Sequence, residues 1–225
     1  MLLTFLLTYS KGGLFLGLPA AFLILFLIWQ RHSSRRLWPW LVGAAIVGLI
    51  GLVIALQIPA LAGRLNPQIT GFFRVYLWRA SLEMVREHPW FGVGLDNFLY
   101  AYRGRYIFNA AWQEPNLNHP HNLILDFATR LGVVGLLMGG WLFGEYTRLV
   151  WRWVWPRWGE WESRGTRMVE FWPLGVGLAG SLAYMLAHGL VDHGYFLVDL
   201  AFAFHLQLAL LLWVKEGVKS EAVGG

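Results

Sequence analysis

Apolar residues fall into long runs separated by short polar stretches, and the runs predict five helices long enough to cross a bilayer. They cover about 12–29, 41–61, 123–142, 171–190 and 195–214, the third continuing as helix toward Trp151. A lipid-spanning helix needs about 20 predominantly apolar residues. The fold class read from this pattern is all-α: a polytopic helical membrane protein forming one membrane domain over 1–225. The long connection over 63–120 is polar and aromatic but not low in complexity. Within it, Phe72, Val75, Tyr76, Leu82 and Val85 recur at helical spacing and predict a helix from Gly71 to His88. Pro89 ends that helix, because proline disfavours the helical region at the residue before it. Gly92-Val93-Gly94 reads as a turn, and Asp96 as the cap of a second short helix. The start of the chain reads as a span, not a cleavable leader.

Composition supports the class. Apolar residues make up 57% and charged residues 14%, against about a quarter charged in soluble domains. Fourteen tryptophans suit the headgroup zone. The absence of cysteine excludes disulfide and thiolate chemistry. The net charge of +5 reads as topology, with no nucleic-acid partner. Arg31, Arg35 and Arg36, the group Arg148, Arg152, Arg157, Arg164 and Arg167, and Lys215 with Lys219 fall on one side of a five-span arrangement. By the positive-inside rule they and the C-terminus are expected in the cytoplasm, which leaves the long loop and the turn at Asp192 outside.

Candidate chemistry gathers at that outer side. His121 stands where the polar loop enters the third span, and imidazole exchanges a proton near neutrality. It reads either as a general base toward a hydroxyl or as a helix-capping residue at the interface. His119 lies two residues earlier across Pro120. A His-x-His pair binds metal only with further ligands; Glu114 is the nearest carboxylate along the chain, and no metal or other cofactor is expected. Arg74 has no acid at pairing distance on its helix, whereas Glu83 is spaced to pair with Arg79 and Arg86. Its guanidinium suits a phosphate oxygen, of a substrate or of a lipid. Lys11, before Gly12-Gly13, reads as a second phosphate contact or as an anchor. Arg103 and Arg105 read mainly as headgroup contacts. Asp126 and Arg130, at i and i+4 inside the third span, are expected to neutralise each other. His188, Asp192 and His193 lie level with His121, so Asp192 is a candidate to orient a histidine. His205 and Gln207 read as packing hydrogen-bond residues, and the pairs Gly13/Gly17, Gly135/Gly139 and Gly140/Gly144 as helix-packing faces.

Taken together, Arg74-Val-Tyr-Leu-Trp78-Arg-Ala80-Ser-Leu-Glu-Met84, Pro89-Trp-Phe-Gly92-Val-Gly94, Phe98, and His119-Pro-His121-Asn122 followed by Gly132 and Gly135 resemble the O-antigen ligase and polymerase family of bacterial envelope proteins. Ser10-Lys11-Gly12 is similar to that family's Ser-Arg-Gly segment, with lysine in place of arginine. The resemblance covers roughly 8–144 and corresponds to the C-terminal part of a longer architecture. It implies an inner-membrane enzyme that moves a glycan from an undecaprenyl-diphosphate carrier to a hydroxyl of lipid A core, another glycan or a protein, without a metal. Carried over by residue, His121 would be the base, Arg74 a diphosphate ligand and Lys11 a weaker one, with His119, Asn122 and Asp192 in support. An anion-transport role and an inactive fragment are the rival readings.

Overall fold

A computed structural model describes residues 10–57, 67–155 and 166–224, and these are helical with no strand among them. Arg157 and Arg164, the end of the expected second span and the start of the long loop lie outside the described residues.

The first span begins with a wide turn at Gly13–Gly17 and runs on without a break as α1, Leu18–His32, with Pro19 just past the junction. Gly13 and Gly17 are buried, and a Cβ on Gly17 would stand 2.5 Å from the Tyr184 ring, so the small residues do form a packing face. A tight turn leads to α2, Trp38–Gln57. Gln30 closes it: Leu37 N–H donates to Gln30 Oε1 at 2.6 Å, and Gln30 Nε2 donates to the Arg35 carbonyl at 2.9 Å. Beyond the turn, α2 presents bare apolar side chains such as Trp40, Val47 and Leu49 to the surroundings.

The long loop opens with α3, Pro67–Glu87. Its buried side chains are Leu77, Ala80, Ser81 and Met84, a stripe at i, i+3, i+4 and i+7. Of the residues whose spacing predicted the helix, Val75 and Leu82 point outward. The stripe packs on Phe98 of α4, Phe98–Ala101, and on Tyr102 and Tyr106 of the wide turn after it, giving the loop a core of its own. Asn97, not Asp96, stands at the start of α4; its side chain gives no cap and donates to the Val93 carbonyl, while Asp96 is fully exposed. Glu87, rather than Glu83, is the acid that engages arginine here. It receives Arg105 Nη2 at 2.7 Å and the Tyr106 hydroxyl at 2.7 Å, so Arg105 serves an ion pair in the loop. Arg79 instead lies over the Phe108 ring, 5.2 Å from its centroid.

Three further long helices among the described residues are α5, Leu123–Val154, α6, Thr166–Gly189, and α7, Val198–Gly224. Tyr146 and Leu149 of α5, Leu178 and Leu182 of α6, and Phe204 and Leu211 of α7 form one apolar core. Within it the Tyr146 hydroxyl donates to Gln207 Oε1 at 3.0 Å. Ile28, Val154 and Ala179 join α1 to the same bundle. Among the described residues, two helices, Gly13–His32 and Leu123–Arg152, are long and apolar enough to cross a membrane, and Trp38–Gly51 and Val198–Trp213 are shorter apolar helices. A Cβ at Gly140 or Gly144 would meet nothing within 4 Å, so that pair makes no packing face among the described residues.

The expected third span is broken. Gly132 has φ +64° and ψ −155°, which interrupts α5 after its first turns. In an unbroken helix Thr129 and Arg130 carbonyls would accept from Val133 and Val134. Here they accept from Val93 N at 2.7 Å and Gly94 N at 3.1 Å, while Val133 N and Val134 N donate to Pro89 O at 2.8 Å and Trp90 O at 3.4 Å. The Pro89–Gly94 turn thus enters the break and exchanges both hydrogen bonds. Buried peptide groups demand partners, and each strand of chain supplies the other's. Only glycine serves at two of these positions. A Cβ on Gly132 would overlap the Trp90 carbonyl, and one on Gly92, at φ +66°, would overlap the Thr129 oxygen.

Candidate functional site

The site lies where α5 begins. Asn122 is its N-cap: its side-chain oxygen accepts from Leu125 N at 3.0 Å. The amide nitrogen donates across to the Leu190 carbonyl at 2.9 Å, joining the helix start to the turn that follows α6. That turn is wound by Val191 N and Asp192 N, both donating to the His188 carbonyl at 3.0 Å. On the other flank, Trp78 Nε1 of α3 donates to the Pro120 carbonyl at 2.8 Å. The histidine loop is therefore clamped between α3 and the α6–α7 turn.

His121 has φ +49°, a left-handed conformation uncommon outside glycine, though histidine adopts it more readily than most residues. Strain of this kind persists where surrounding structure enforces it, and it often marks a working site. The conformation brings the His121 ring to Asp192, with Nδ1 donating to Oδ1 at 2.9 Å. The same oxygen accepts from His193 Nδ1 at 3.1 Å and from the His193 backbone N–H at 2.9 Å. His119 Nε2 lies 3.2 Å from His121 Nδ1 and 3.9 Å from Asp192 Oδ1. Its other nitrogen faces Asn118 Oδ1, which only accepts, so Nδ1 carries the proton and Nε2 holds a lone pair. The four side chains are partly buried.

The electrostatics follow from this crowding. Burial, reinforced by the facing His121 and His193 rings, pulls His119 down to about 3, so it is neutral at physiological pH. Burial by itself would raise the Asp192 carboxyl. The hydrogen bonds from His121 and from the His193 ring and backbone overcome that and hold it well below the usual carboxylate range.

The other candidates converge on the same place from the far side of His188. His188 Nε2 is 3.7 Å from Asp192 Oδ2 and 3.3 Å from Ser10 Oγ. A Cβ on Gly12 would come within 2.7 Å of Val191 and 3.0 Å of His188, so the segment carrying Lys11 abuts the Asp192 turn. Arg74 lies one turn before Trp78 on α3, partly buried, and near enough to His188 for its charge to act on that ring. All six sequence candidates (Lys11, Arg74, His119, His121, Asn122 and Asp192) thus belong to segments that meet here.

Sequence reasoning placed His188, Asp192 and His193 level with His121 by depth alone and gave His193 no role. It also read Arg130 only as the partner of Asp126. That pair exists, at 2.6 Å and buried, but Arg130 further donates to the carbonyls of Leu95 and, at 3.1 Å, Asn118. One guanidinium thereby ties the middle of the long loop, at Leu95, and its last residues, at Asn118, to α5.

The class defined by these features is a helical membrane protein with a histidine–carboxylate site and cationic residues beside it. A sequence profile described as O-antigen ligase matches residues 1–139, more than half of the chain, and the chain belongs to that family. Among curated proteins it is similar to an O-antigen ligase of Pseudomonas aeruginosa, with 29% identity over 110 residues. The similarity spans 47% of this chain and 25% of that relative, so the chain matches about a quarter of the relative's length.

Proposed function

We propose that this chain carries the acceptor-activating site of a membrane glycosyltransferase of the ligase or polymerase type. Family membership supports glycan transfer in general. The observation that carries the finer reading is the 2.9 Å bond from His121 Nδ1 to Asp192 Oδ1. With Nδ1–H committed to a carboxylate, Nε2 keeps its lone pair and is the atom able to take a proton, the logic by which a carboxylate sets a base histidine's tautomer. His121 removes the proton of an acceptor hydroxyl. The oxygen attacks the anomeric carbon of a glycan held on undecaprenyl diphosphate. The bond from that carbon to the diphosphate oxygen breaks, and the lipid diphosphate leaves with its negative charge.

Arg74 and Lys11 are proposed to hold that diphosphate, Arg74 with a bidentate fork and Lys11 as a point charge. Asp192 keeps the ring oriented, and Asn122 and His119 support the loop. Acid–base chemistry with a cationic clamp needs no metal for the step itself. The acceptor is a hydroxyl of lipid A core, of a glycan or of a protein. The proposed setting is the inner membrane, with the long loop and the Asp192 turn outside and the C-terminus in the cytoplasm. The pairing of Asp126 with Arg130, and of Arg130 with loop carbonyls, speaks against a polar route through the bilayer of the kind anion transport requires.

The test is glycan transfer in cells lacking their own ligase and supplied with this protein. His121→Ala is expected to lower the transfer rate by about 10²–10⁴-fold, the usual contribution of a positioned base. Arg74→Ala is expected to weaken use of the donor. Transfer at the wild-type rate in both variants overturns the assignment.

A further inference from the structure

We propose that His119, His121, Asp192 and His193 form a binding site for a divalent transition-metal ion, zinc best of all, and that the ion switches the base off. The inference rests on the reading of His121 as the base for its functional half only; the binding half stands on geometry.

The four donor atoms lie within 4.8 Å of one another. The resolved edges of this set are 2.9, 3.1, 3.2 and 3.9 Å. A tetrahedral ion with ligands at about 2.0–2.1 Å sets its donors about 3.3 Å apart, which is the middle of that range. Three imidazoles and one carboxylate are a donor set that zinc takes readily. The outer partner is also in place. His119 Nδ1 faces Asn118 Oδ1 at 2.5 Å, the arrangement that fixes a ligand histidine's tautomer and aims its other nitrogen inward. The left-handed backbone at His121 turns its ring to the same point. The sequence hides this site, because its ligands come from segments about seventy residues apart.

The proton balance gives the functional consequence. In the metal-free site His121 and His193 carry their protons on Nδ1 and present them to Asp192. An ion coordinated at both Nδ1 atoms displaces those protons, and each ring re-protonates at Nε2. His119 coordinates through the lone pair it already has, and Asp192 is already a carboxylate, so no net proton is released. His121 Nε2 then bears hydrogen and has no lone pair for an acceptor hydroxyl. Zinc therefore competes with catalysis rather than assisting it.

The experiment uses the full-length protein in detergent or nanodiscs, stripped with a chelator. Zinc binding is followed by calorimetry, and cobalt substitution by the visible bands of a tetrahedral ion. One equivalent of zinc and tetrahedral cobalt bands are expected. His193→Gln, checked for unchanged helicity by circular dichroism, is expected to lose both. Asn118→Ala is expected to weaken zinc by roughly tenfold, the low end for losing an outer partner. Zinc is expected to stop glycan transfer, and a chelator to restore it. No saturable binding, or binding that survives in His193→Gln, overturns the site. Binding with transfer undiminished overturns the inhibitory role. Because binding is read without turnover, an inactive wild type would count against the proposed function and leave the metal question decided on its own.

Discussion

The two parts of α5 are held by different forces. Its first turns, up to the break at Gly132, bury Asp126, Thr129 and Arg130 and are tied to the long loop by directional polar bonds. Its second part buries Tyr146 and Leu149 against α6 and α7 through an apolar core in which the Tyr146 hydroxyl reaches Gln207 and the Leu178 carbonyl. Dispersion contacts are many and individually weak, so an apolar core tolerates small changes by shifting slightly. A lattice of peptide bonds and a buried ion pair does not shift. The histidine cluster adjoins the rigid part, which suits the role proposed for His121, since a base must be held within fractions of an ångström.

The sharpest break of this contrast is Gly132→Ala. A methyl group there meets both a forbidden backbone angle and the Trp90 carbonyl, so a loss on the order of 4 kcal/mol or more is expected, with glycan transfer abolished. Gly140→Ala in the same helix is the matched control: open space surrounds it, and the change is expected to be neutral or to add up to about 1 kcal/mol of helix propensity. Thermal unfolding in detergent measures both. Equal melting temperatures for the two variants would remove the argument for the interlocked break.

Next comes Arg130→Met, which leaves Asp126 buried without its partner and frees the carbonyls of Leu95 and Asn118. A loss of about 3–4 kcal/mol is expected, together with faster proteolysis of the long loop at 95–118 than in the wild type. Unaltered loop cleavage would show that the guanidinium does not staple it. The smallest effect is expected in the apolar part. Tyr146→Phe removes the hydroxyl's bond to Gln207 and its longer one to the Leu178 carbonyl, and is expected to cost about 1 kcal/mol in the same melts, leaving transfer intact. A larger loss than that of Arg130→Met would reverse the comparison.

The contrast also explains what the chain disclosed in advance. Long apolar runs announced α1, α2, α5, α6 and α7, because hydropathy is a local property of the sequence. Pro89 and the glycines at 92 and 94 marked their turn for the same reason. The break at Gly132 was not legible, since what makes it stable is a partner turn some forty residues earlier. Nor was the face of α3: Val75 and Leu82 share its helical period yet point outward, and only the positions of Phe98 and Tyr102 decide which stripe is covered. At the site, His121 and Arg74 stood out by type and spacing. His193 did not, because an imidazole beside a turn aspartate looks the same whether or not two more rings arrive from another segment. Glu83 was the obvious mate for arginine by spacing, yet the loop's own folding presents Glu87 to Arg105.

The exchange of bonds between the Pro89–Gly94 turn and α5 bears on how this protein can be recombined with its relatives. Residues 89–94 and 129–134 complete each other's peptide bonding, so they are one inheritable cassette despite their separation along the gene. A chimera with a crossover between them pairs a turn with a helix that was not cut to receive it. Four amide N–H groups, those of Val93, Gly94, Val133 and Val134, then lose their acceptors where water is scarce. Crossovers placed before residue 89 or after residue 134 keep the joint whole, and donor and acceptor specificities are best shuffled at those seams.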